Sequence, residues 1–76
     1  MTQVVPLDML RSGEHGCICD MDGRDEFVHR LEEMGLREGV TIEMLRPGTP
    51  CILGVNHHRL TFRPEETTTI LVEVSR

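Results

Sequence analysis

The residues in this chain best suited to chemistry are His15, Cys17 and Cys19, in the stretch EHGCICD. Along an extended strand, side chains two apart share a face, so an imidazole and two thiols would present themselves together. Cys51, His57 and His58 offer a second group of soft donors. Thiolate and imidazole suit zinc and ferrous iron, so one reading is a soft-metal carrier or sensor using Cys17 and Cys19 with His15 or Cys51. The spacing argues against a structural zinc site: C-x-C is not C-x₂-C, and no second cysteine pair repeats it. The competing reading makes the cysteines ordinary core or surface thiols and His57–His58 a solvated turn.

No other pattern points to catalysis. There is no Ser-His-Asp ordering, no Gly-rich phosphate loop and no facing carboxylate pair, so the chain reads as a non-enzyme that requires no cofactor. Eight basic residues, all arginine, against thirteen acidic ones leave a net charge of −5. A nucleic-acid duplex or an anionic membrane would be repelled on average. With two Phe and no Trp or Tyr, the rings on which single strands stack are scarce too. Nucleic acid is therefore not an expected partner.

No apolar run approaches the ~18 residues needed to span a bilayer, and MTQVVPLDML lacks a basic region followed by an apolar one. A cytoplasmic location is expected. Three cysteines cannot form a disulfide framework, which agrees with a reducing compartment.

The elements that must position these groups come from periodicity. At 76 residues the chain is expected to form one domain, 1–76, burying roughly 60% of its unfolded surface. TQVV starts a strand that Pro6 ends or confines to an edge. LDMLRSG is a helical turn running into Gly13, and Glu14–Met21 is a strand closed by the turn DMDG. Asp25 is placed to cap a helix over about 26–34, with Phe27, Leu31 and Met34 on one stripe and Val28 widening it. Glu26 and Arg30, at i and i+4, should pair on its wet side, where His29 also falls.

RLEEMGLREG then changes period. Gly35 at C′ would turn left-handed, with Leu31 and Leu36 closing a Schellman motif. Val40, Ile42 and Met44 alternate as a strand, RPGTP is a loop, CILGV is a strand and NHH is a hairpin tip. Leu60 and Phe62 follow in a further strand, Pro64 opens a short helical turn through Glu66, and Ile70, Val72 and Val74 form the last strand. Five to six short strands with one inserted helix make a mainly β fold. In so small a chain they argue for a barrel, which removes exposed edges. Leu45 and Leu71 face away from their strands' inner sets and would form an exposed apolar patch.

This order of parts resembles the FeoA (ferrous iron transport protein A) family of small SH3-like β-barrels, almost end to end. The resemblance takes in Leu7 and Leu10, then SGEHGCI with Gly13, Gly16 and Ile18, then RLEEMGLREG with Arg30, Leu31, Met34, Gly35, Leu36 and Gly39. Pro50, LTFRPEET, Ile70 and Val72 complete it. Thr67 stands where the family often has alanine, and RPGTPCILG lacks its common P-L-G-D-P segment. The family pattern makes Ile18 and Met21 the apolar positions of their strand. No straight strand turns both inward, so a bulge is expected within Gly16–Asp20.

The resemblance implies a small accessory protein of ferrous iron uptake that binds the cytoplasmic side of a FeoB-type membrane GTPase transporter. Candidate contacts are Met34, Gly35 and Leu36, whose groove beside a strand edge suits a peptide. Leu45 joins them from the expected patch, and Arg59 and Arg63, which alternate onto one face, would meet an acidic surface.

Overall fold

The structure, a computed structural model, describes residues 1–63 and 69–75. The short helical turn expected from Pro64 to Glu66, and Thr67, lie outside the described residues. The strands are β1 (Thr2–Pro6), β2 (His15–Asp22), β3 (Thr41–Arg46), β4 (Cys51–Val55), β5 (His58–Phe62) and β6 (Thr69–Ser75). A 3₁₀ turn over Leu7–Met9 follows β1, and the helix α1 (Asp25–Glu33) joins β2 to β3. All pairings are antiparallel, in the order β1-β6-β2-β3-β4-β5.

Alternation curls this sheet around one core. Ile18, Ile42, Met44, Leu53, Val72 and Val74 point inward and are almost fully buried, joined by Leu7, Leu10, Leu31 and Leu36 from the connections. Gly16 lets two strands approach closely: a Cβ there would stand 3.0 Å from the Val72 side chain. β2 carries a bulge, with the register shifting between Ile18 and Asp20, so that Cys19 is the extra residue. The bulge is what allows Ile18 to be buried and Met21 to pack against the core three residues later.

The helix exit follows from glycine chemistry. Gly35 has φ +100°, its N–H donates to the Glu32 carbonyl at 3.0 Å, and the Leu36 N–H donates to the Leu31 carbonyl at 2.9 Å. These are the two bonds of a Schellman motif, and Leu31 and Leu36 are both in the core.

Several expectations are corrected. Arg24, not Asp25, is the N-cap, with extended backbone and no side-chain cap, because its carbonyl already accepts from Phe27 and Val28. Asp25 sits in the first turn, where its charge favours the helix dipole instead. Met34 is the C-cap, so the helix ends at Glu33. The mainly β roll of six short strands with one inserted helix is as expected of a small barrel, and among the described residues no ladder joins β1 to β5. Leu45 and Leu71 form no exposed patch, since both are half-buried. Leu45 lies at a second bulge, between Met44 and Arg46, and leans over Gly54, where a Cβ would meet it at 3.6 Å. Among the described residues the exposed large apolar side chains are instead Met1, Val4, Met9 and Met34.

Candidate docking groove

The apolar stripe of α1 is longer than the core can cover. Leu31 is buried, Phe27 is half-buried and Met34 is 45% exposed. Opposite them, β5 contributes Thr61 and Phe62, and Arg63 follows immediately after the strand. The gap between helix and strand is a groove of about 170 Å³ lined by Phe27, Arg30, Leu31, Met34, Thr61, Phe62 and Arg63. Its floor is apolar and its rim holds two guanidinium groups.

Arg30 does not make the expected pair with Glu26. Its guanidinium lies 5.8 Å from the centre of the Phe27 ring, while Glu26 faces Arg24 at 3.9 Å. A cation over the negative ring face is held in place, and here that keeps Arg30 on the groove rim. Arg63 makes no ion pair within the described residues. In a chain of net charge −5, these cations beside an apolar floor favour an apolar side chain flanked by a carboxylate.

A second depression, about 310 Å³, crosses the outer face of the sheet. The registers His15↔Glu43, Glu43↔Gly54 and Gly54↔Arg59 set four residues in one row. Glycine leaves a gap in the row, which Leu45 partly fills. His15 Nε2 stands 3.5 Å from a Glu43 carboxylate oxygen. Asn56 and His57, both at positive φ (49° and 69°), form the hairpin loop at its end.

The predicted contact residues therefore divide. Met34 and Arg63 line the groove, and Leu45 and Arg59 line the outer row. Arg59 and Arg63 do not share one depression, because Arg63 lies past the end of β5 and turns toward α1. Leu36 is fully buried and presents no surface to a partner, and Gly35, half-buried in the helix cap, is not among the residues that line the groove.

The soft donors are not brought together. Among the described residues no three His, Cys, Asp or Glu side chains are placed to hold one metal ion. His15 leans on Glu43, and Cys19, displaced by the bulge, aims its thiol at the Leu71 carbonyl at 3.4 Å. Cys51 is on the inner face of β4, fully buried, with its thiol 3.3 Å from the Phe62 carbonyl. Burial raises its pKa above the ordinary thiol value, opposed by a backbone hydrogen bond and reinforced by the Asp8 charge.

Phe27, Arg30, Thr61 and Phe62 were not among the residues singled out for a partner. The signal for them was the stripe Phe27–Leu31–Met34, too long for a 76-residue core to bury whole. Among the described residues no helix is long and apolar enough to cross a membrane.

Comparison with known proteins places this geometry. A crystal structure of a protein described as iron uptake regulatory protein (FeoA) superposes with a TM-score of 0.87 at 27% sequence identity, covering 96% of this chain and 100% of that one. No curated protein matches the sequence. The family model for the FeoA domain matches residues 5–74, and the chain belongs to the FeoA domain family.

Proposed function

We propose that this protein is a non-catalytic adaptor of ferrous iron uptake. It works in the cytoplasm, docking on the cytoplasmic face of a FeoB-type membrane GTPase transporter and modulating it. Membership of the FeoA family supports the link to iron. The groove between α1 and β5 carries the docking role, with its apolar floor and the rim of Arg30 and Arg63. It suits an extended segment of the transporter that sets one apolar side chain into the floor and a carboxylate at the rim.

The test is capture of the transporter's soluble domain and of its cytoplasmic tail peptides by the full chain at near-physiological salt. Met34→Gln combined with Arg63→Glu should weaken capture about 30-fold, as expected when hot-spot contacts worth about 2 kcal/mol are lost. The melting temperature should hardly move, since both side chains are exposed. No association with any segment would overturn the adaptor reading, and unchanged capture by the double variant would remove the groove from it.

A further inference from the structure

Charge is not spread evenly along this chain. From Arg46 to Arg63 it carries three arginines and no acid, a formal +3, while the other five arginines and all thirteen acids leave −8 on the rest. That acid-free stretch includes β4 and β5. The registers Arg46↔Ile52↔Thr61 and Glu43↔Gly54↔Arg59 lay outward residues in two rows across β3, β4 and β5. Two strand spacings across and two residues along, Arg46 and Arg59 stand at diagonal corners about 12 Å apart. Both are exposed, and neither makes an ion pair among the described residues. Between them the floor is apolar, with half-buried Leu45 and Ile52 beside Gly54. Two depressions lie on this face, the 310 Å³ one that Arg59 and Leu45 line and one of about 450 Å³ lined in part by Arg46, Ile52 and Thr61.

We infer that this outer face is an interaction surface for a short acidic segment of another protein. The segment lies extended, sets an apolar side chain on Leu45 and Ile52, and brings one carboxylate to Arg46 and another to Arg59. In an extended chain, side chains two and four positions apart share a face, and four positions span about 13 Å. Two acids at that spacing, with the apolar residue midway, match the two corners and the floor between them.

The charge distribution selects that partner. A positive face on a negative molecule steers an acidic segment toward itself, while the rest of the surface repels it. A nucleic-acid duplex or an anionic bilayer extends well past the two arginines and would meet the −8 carried by the rest of the chain. The exposed large apolar side chains among the described residues, Met1, Val4, Met9 and Met34, line neither depression, so nothing on this face is built to enter a bilayer. The acid in the two rows, Glu43, stands 3.5 Å from His15 Nε2 and two strands from Arg59. It opposes the incoming carboxylates without neutralising either arginine.

The test is titration of the full chain, its amide signals resolved by NMR, with a short synthetic peptide that carries two glutamates four positions apart and a leucine midway. Shifts should centre on Leu45, Ile52 and Gly54, and the peptide with glutamines in place of its glutamates should not produce them. Arg46→Gln combined with Arg59→Gln should weaken binding about 10-fold and leave the melting temperature unchanged, since both side chains are exposed. Glu43→Gln should tighten binding about 3-fold by removing the opposing acid. Met34→Gln should change nothing, because Met34 lines neither depression. No shifts, shifts confined to the groove beside α1, equal binding of the glutamine peptide, or an arginine double variant that binds like the wild type would each overturn the inference. So would phosphatidylserine vesicles or an oligonucleotide binding through the same arginines more tightly than the peptide. The result is separable from docking to the transporter, because neither Arg46 nor Arg59 lines the groove.

Discussion

Substituting Gly35 with valine tests how the chain leaves α1. The residue stands at φ +100°, and a Cβ there would meet only Val55 Cγ1 at 3.8 Å, an ordinary contact. The cost is therefore borne by the backbone. An L-residue held left-handed costs about 1–2 kcal/mol, and branching at Cβ adds crowding to that. If the backbone relaxes instead, the Leu36-to-Leu31 and Gly35-to-Glu32 hydrogen bonds are lost, each worth about 1 kcal/mol. Either route gives about 2–3 kcal/mol, from a domain whose total stability is roughly 4–11 kcal/mol at this length. At about 4–8 °C per kcal/mol, Gly35→Val should melt roughly 8–24 °C below the wild type. Gly35→Ala should show about half that loss, since it carries the backbone term with less crowding. Gly54→Ala is the control: it has no positive φ, a Cβ would meet Leu45 at 3.6 Å, and its effect should stay within about 0.5 kcal/mol. The assay is thermal unfolding followed by circular dichroism. A Gly35→Val protein melting within about 2 °C of the wild type would refute the cap argument.

Two further perturbations probe the core. Gly16→Ala puts a methyl 3.0 Å from Val72 Cβ and should cost about 1–3 kcal/mol by overpacking. Adding Val72→Ala should recover part of that loss, and strictly additive denaturant-unfolding energies would contradict the close approach of the strands. For Cys51, burial leads the causes that raise the thiol pKa in the folded state above the ordinary value of 9.0. The folded protein then holds that proton more tightly than the unfolded chain does. The stabilisation is complete below pH 9.0 and drains away as pH rises toward the folded value. Cys51→Ala should melt lower at neutral pH by roughly 1 kcal/mol, yet lose less with each added unit of alkalinity. Parallel melting-temperature curves above pH 9.0 would show that the thiol does not titrate with unfolding.

The elements that could be read in advance are those whose causes are local. Leu31, Gly35 and Leu36 specify the helix exit because the hydrogen bonds involved span five residues or fewer. The β2 bulge was legible only through the family resemblance, which makes both Ile18 and Met21 core positions; three apart, they can both face inward only if an extra residue intervenes. The groove was half legible. Met34 and Arg63 belong to the expected contacts, but Phe27 and Phe62 come to line the same groove only through the packing of α1 near β5. Arg30 shows the same limit: the i,i+4 rule favoured Glu26, yet the Phe27 ring holds it.

By itself, then, the amino-acid order determined the alternation of short strands, the single helix and the glycine turns that separate them, since each is written within a few neighbouring residues. Only the tertiary structure decided that Cys51 lies inside the core while His15 and Cys19 lie outside it. It also decided that β1 ends the sheet beside β6, and that Met34 is left over beside two arginines. The physical reason is that these outcomes depend on contacts between segments far apart along the chain. Periodicity says which face of a strand is apolar, but not which strand will lie against it.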